Sequence, residues 1–231
     1  MKISLSTKTF LLSALLTGAQ CVSANVVTTL GEQDFQDGQL VASGTFLNAR
    51  GTAANPSINE PDPFNLLIGA DNSVGPNFSA NWTFSYSPIQ VATVADGNFT
   101  LGIVDHESTA TGNQVASFLM RSGANVIDLT GSLNGLFESR GGGSREYNVY
   151  SLTLPFSASM SQILASGTVT FSLTLQGPGL NIDGETPFNF AGVDFSTLTV
   201  NTLAPVPLPA AGSLFLFGVS ALFAVRRKKV A

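Results

Sequence analysis

The sequence predicts an all-β protein, a jelly-roll-like β-sandwich, and three observations lead to that expectation. Apolar and hydroxyl-bearing residues alternate with a period of two in several separate stretches. Turn-forming pairs recur between those stretches at short intervals. No segment between residues 25 and 203 carries a convincing amphipathic helical pattern. Many short strands with regular turns close into a sandwich or barrel.

The elements follow in order. A weak strand falls near 39–47. Residues 51–63, with Pro56, Pro61 and Pro63, read as an irregular loop. The clearest alternation sets Phe78, Ala80, Trp82, Phe84 and Tyr86 against Ser79, Asn81, Thr83, Ser85 and Ser87. Phe99, Leu101 and Ile103 form a shorter set, and weaker strands fall near 115–120 and 126–130. Gly141-Gly-Gly143 lies in a loop between Arg140 and Arg145. Tyr150, Leu152, Leu154 and Phe156 alternate with Ser151, Thr153 and Pro155; the proline cannot donate to a ladder and marks an edge or strand end. Residues 157–166 offer one short turn of helix. Val169, Phe171, Leu173 and Leu175 alternate with Thr170, Ser172, Thr174 and Gln176, and a last strand falls near 193–202. Turn signals stand at Asp37-Gly38, Asp71-Asn72, Asp96-Gly97, Gly112-Asn113, Ser122-Gly123, Gly177-Pro-Gly179 and Asp183-Gly184. About nine to eleven strands result.

Composition narrows the partners. All 15 acidic residues lie between Glu32 and Asp194. Only Arg50, Arg121, Arg140 and Arg145 balance them there, so this stretch carries a net charge near −11 against −5 for the whole chain. Such a surface repels nucleic acid and anionic lipid. It suits an exported protein among neutral polymers, or one that binds divalent cations weakly. Polarity comes mainly from Ser, Thr, Asn, Gln and Gly, which together with abundant Phe favours sheet.

The two ends read as addresses. Lys2 and Lys8 lead into Phe10-Leu-Leu-Ser-Ala-Leu-Leu16, a short apolar core, and Val22-Ser-Ala24 offers small residues for cleavage after Ala24. Residues 1–24 are therefore expected to be a signal peptide. The single cysteine, Cys21, would leave with it, so the mature chain would have no thiol and no disulfide. Residues 208–225 contain no charge and would form a helix of about 27 Å, close to the bilayer hydrocarbon thickness. Arg226-Arg-Lys-Lys229 after it should stay cytoplasmic. The chain thus divides into a signal at 1–24, a β-sandwich at 25–203 and a tail at 204–231.

That tail, with Val206-Pro207-Leu208-Pro209, the apolar run and then Arg226, Arg227, Lys228 and Lys229, resembles the PEP-CTERM sorting signal of Gram-negative bacteria. The central Glu of the Pro-Glu-Pro form is absent here. The resemblance covers about 27 of the 231 residues. It implies recognition by an exosortase, transient anchoring in the inner membrane through the C-terminal helix, and export to the cell surface or medium in association with exopolysaccharide or biofilm matrix. The tail would be a substrate of that system.

Candidate chemistry is sparse. His106 is the only histidine, within Asp105-His106-Glu107. These three could form an acid/base group or supply metal ligands. Neighbours on a strand point to opposite faces, so the triplet converges only in a loop; its plainer reading is a polar strand end entering a loop at 105–114. No Gly-x-Ser-x-Gly elbow is present. The carboxylate pairs Asp34/Asp37, Glu60/Asp62, Asp105/Glu107 and Asp183/Glu185 sit in expected turns, where solvated acids are ordinary. Calcium is the one candidate cofactor, because loop carboxylates suit a hard ion, although no EF-hand or nonapeptide repeat is present. For glycan binding, Trp82 and Tyr86 share the apolar phase and belong to the core; Tyr147 is the better exposed aromatic.

The residues therefore predict a non-catalytic, exported surface or matrix protein. A carbohydrate-binding module of the matrix and a polysaccharide-active hydrolase or lyase are the alternatives, and fold alone does not separate them.

Overall fold

Ser79–Ser85 (β5) shows how the alternation becomes a sheet. Ala80, Trp82 and Phe84 are buried, and Ser79, Asn81, Thr83 and Ser85 face outward. The structure is a computed structural model, and it describes residues 25–52, 55–56, 60–68, 79–106, 115–140, 145–175 and 191–203. The expected signal at 1–24 and the tail at 204–231 lie outside these residues. Among the described residues no helix is long and apolar enough to cross a membrane.

The fold is all-β and antiparallel. The other strands are β1 (Val26–Gly31), β2 (Gly51–Thr52), β3 (Asn55–Pro56), β4 (Leu66–Ile68), β6 (Val94–Val104), β7 (Val115–Ser122), β8 (Asn125–Asp128), β9 (Tyr147–Thr153), β10 (Thr168–Leu175) and β11 (Ala191–Thr202). One sheet has the order β1-β11-β6-β9. β4 pairs with Ala191–Val193 and β1 with Phe195–Val200, so these two strands share one edge of β11. The second sheet has the order β5-β10-β7-β8, and β2 and β3 form a small hairpin.

The two large sheets bury their apolar faces against each other. Phe99 of the first sheet stacks on Phe171 of the second with ring centroids 4.3 Å apart. Trp82 lies beside both rings, and its Nε1 donates to Ser196 Oγ across the interface at 3.1 Å. Each such aromatic pair contributes about 0.5–1.5 kcal/mol beyond its area burial. A smaller second core lies elsewhere: Phe35, Val41, Phe46, Val104, Tyr147 and Phe195 pack together.

Several expectations need correction. Three helices are present among the described residues: α1 (Ser43–Ala49), α2 (Thr130–Arg140) and α3 (Ala158–Ala165). The strand expected near 39–47 is one bridge at Leu40 followed by α1. Phe46 is the one buried residue of that helix, its ring filling the space left by Gly192, where a Cβ would meet it at 2.2 Å. α2 buries only Leu133, Asn134 and Phe137 in a polar, glycine-containing run, too little to read as a periodic stripe. It is tied down instead by polar contacts. Asp128 Oδ1 accepts from Thr130 N–H at 2.9 Å, and Asn134 bonds both backbone groups of Val115. α3 is a full eight-residue helix capped by Ser157, whose hydroxyl accepts from Met160 N–H. Asp96-Gly97 makes no turn; it continues β6, with Gly97 close to Leu154 and Leu164. Phe156 is 72 % exposed, because β9 ends at Thr153 before Pro155.

Candidate functional site

β1 ends at Gly31, whose φ of 75° turns the chain out of the sheet. A Cβ there would come within 2.2 Å of the Asp194 carbonyl oxygen. Glycine therefore lets the following residues, Glu32 to Asp34, run against β11. In β11 the register shifts between Val193 and Phe195, which leaves Asp194 as the extra residue of a bulge. Asn65 is also in the left-handed region, at φ 52°, and its N–H donates to Val193 O at 2.8 Å. Three chain segments thus meet at one place: the end of β1, the bulge of β11 and the turn before β4.

The side chains there are almost all oxygen donors to a ligand. Carboxylate oxygens of Glu32, Asp34 and Glu60 lie within 4.8 Å of one another. Asn65 Nδ2 donates to Asp34 Oδ2 at 2.9 Å. Asp34 N–H donates to Asp194 Oδ2 at 3.1 Å, and Tyr147 Oη donates to the same oxygen at 2.7 Å. Three buried oxygens have no hydrogen-bond partner: Glu60 Oε2, Asn65 Oδ1 and Asp194 Oδ1. An unmet buried acceptor costs about 1–3 kcal/mol. Among the described residues Asn148 Oδ1 is the only other such side-chain atom.

Charge is poorly balanced here. Burial pushes the Glu60 carboxyl above its ordinary range, and the charges of Asp34 and Glu32 push it further; Arg50 opposes them. Arg50 is itself ion-paired with Asp62. Burial pushes Asp194 up to about 7 against the hydrogen bonds from Tyr147 and Asp34, and the negative charge of Asp34 adds to the rise. Burial, then the Asp194 charge, raises the Tyr147 phenol above its usual range.

The residues singled out from the sequence have other surroundings. Asp105, at φ 59°, donates its N–H to Glu146 O at 3.0 Å and accepts from Arg145 N–H on Oδ1 at 2.8 Å. His106 is 2 % exposed and stacks on Phe137 at 4.3 Å. Its Nε2 meets Tyr150 Oη at 2.8 Å and Asn148 Nδ2 at 3.2 Å. Glu107 lies outside the described residues. Tyr147, expected to be exposed, is fully buried. It begins β9 on a part of the sheet that Phe35 and the 32–49 segment cover, a second layer that strand alternation does not announce. Trp82 belongs to the core as expected. Tyr86 is half-buried and donates to Leu164 O at 2.6 Å.

Sequence reasoning flagged Asp34 and Glu60 only as halves of turn pairs. The other halves go elsewhere: Asp37 pairs with Arg140, and Asp62 with Arg50. Glu32, Asn65 and Asp194 carried no local signal, because the bulge and the left-handed turn that bring them together are tertiary features. No family model matches this chain, and no curated protein is detectably similar to it.

Proposed function

We propose that this chain is a non-catalytic, exported surface or matrix protein whose C-terminal signal is read by an exosortase. The observation that carries this reading is the order of the tail: Val206-Pro-Leu-Pro209, an uncharged stretch to Val225, then Arg226-Arg-Lys-Lys229. A basic cluster behind an apolar stretch of spanning length holds a chain in the membrane with that end inside the cell.

The domain ahead of it reads best as a jelly roll. Setting β4 aside, the strand pairs nest like a long hairpin: β7 with β8, β6 with β9, β5 with β10 and β1 with β11. Rolling that hairpin produces two four-stranded sheets. The outer face of β5 and β10 supports a structural role. Its hydroxyls bond each other across the strands, Ser79 to Thr174 at 2.7 Å and Thr83 to Thr170 at 2.8 Å. This leaves a hydroxyl-rich polar surface, with Arg121 reaching over Ser172, suited to exopolysaccharide neighbours.

Removal of residues 205–231, or of Arg226–Lys229 alone, tests the reading. The truncated chains should leave the membrane and surface fractions while their domain stays folded. Identical fractionation of full and truncated chains overturns it.

A further inference from the structure

We propose that Glu32, Asp34 and Glu60, with the Asn65 side-chain oxygen, bind a calcium ion that clamps the end of β1 to the turn before β4. The geometry fits one ion. Calcium–oxygen distances run about 2.3–2.6 Å, so ligands on opposite sides stand roughly 4.6–5.2 Å apart. The three carboxylate oxygens lie within 4.8 Å of one another.

A cluster of acids alone would carry little, but buried oxygens beside it point the same way. Glu60 is 5 % exposed and keeps one carboxylate oxygen without a donor. Asn65 is 0 % exposed; its amide nitrogen is held on Asp34 at 2.9 Å, and the oxygen of the same amide has no partner. Arg50, whose charge favours the ionised Glu60, is itself paired with Asp62. A bound cation satisfies at once the buried oxygens of Glu60 and Asn65 and the repulsion between Glu60 and the exposed carboxylates of Glu32 and Asp34.

The donor set selects the metal. Oxygen ligands without sulfur or imidazole suit a hard ion rather than zinc. Magnesium needs a near-ideal octahedron and holds most of its waters, whereas calcium accepts an irregular set of loop carboxylates and an amide oxygen. The expected consequence is structural. β1 and β4 share one edge of β11, and the ion would cross-link the segments that enter and leave that edge.

The experiment is a melting curve of the full chain in detergent, with calcium and then with EGTA. At about 100 times its Kd, calcium should raise the melting temperature by roughly 5–10 °C, and EGTA should reverse the rise. Glu60→Gln should abolish the shift without lowering the melting temperature in EGTA, because it relieves repulsion among like charges. Glu138→Gln, on the exposed face of α2, should keep the full shift. Glu32→Gln, at an exposed position, keeps the test decisive should Glu60→Gln fail to fold: a reduced shift supports the site. Equal melting in calcium and EGTA overturns the proposal, and so does an undiminished shift in the Glu32 or Glu60 variant.

Discussion

The hydroxyl of Tyr147 donates a 2.7 Å hydrogen bond to Oδ2 of Asp194, and both side chains are wholly buried. The bond joins β9 to β11 although the two strands are not neighbours, with β6 between them. It passes over Gly102, where a Cβ would meet the Tyr147 hydroxyl at 2.2 Å. Tyr147→Phe removes the donor and leaves the Asp194 oxygen with only the Asp34 N–H. We expect a loss of about 1–3 kcal/mol, or roughly 2–4 °C in melting temperature for each kcal/mol. Thermal unfolding of both chains under one set of conditions checks this.

Asp194 should also make stability depend on pH. Its folded pKa, near 7, lies above the ~3.9 of an unfolded aspartate. Between these values the native carboxyl holds a proton that the unfolded chain has released. The contribution is complete below about pH 4 and is lost as pH rises through about 7. With EGTA present, the melting temperature should therefore fall between about pH 5.5 and pH 8, and Asp194→Asn should flatten that fall. Asp37 has the opposite sign. Burial raises it, but the Arg140 guanidinium and the Val149 N–H outweigh burial and hold it below its ordinary range. Its contribution is lost only on acidification below about pH 4, outside this window.

The alternation of β5 and β10 was legible because both strands lie between solvent and a single core. Each of their faces has one environment. The same rule misjudged Tyr147, where the 32–49 segment covers the second side of the sheet, and residues 39–47, which belong to that cover as a bridge and helix α1. Helix α2 escaped for a different reason: its stability comes from Asp128, Asn134 and packing of two apolar residues, none of which needs a periodic stripe. The acid cluster was out of reach because its members are separated by up to 28 residues and meet through a positive-φ glycine and a bulge.

His106 should behave as a core residue. Its ring stacks on Phe137 and bonds Tyr150 and Asn148. His106→Ala opens a cavity and strips these partners, at a cost of about 2–5 kcal/mol. Chemical denaturation should show a lower midpoint. An unchanged midpoint would mean that the ring is dispensable to folding.

Gly31→Ala should be among the most damaging small substitutions. The added carbon meets a backbone oxygen at 2.2 Å, and the residue holds φ at 75°. We expect a loss of about 2 kcal/mol or more, measured as a fall in melting temperature. A change of less than about 0.5 kcal/mol would show that β1 can leave β11 freely at that point.

The mass and terminal sequences of the mature protein recovered from the exporting cell bear most directly on the proposed function. We expect a chain that begins at Asn25 and lacks Arg226–Lys229. A recovered chain that still carries both Met1 and Ala231 would contradict export and processing together.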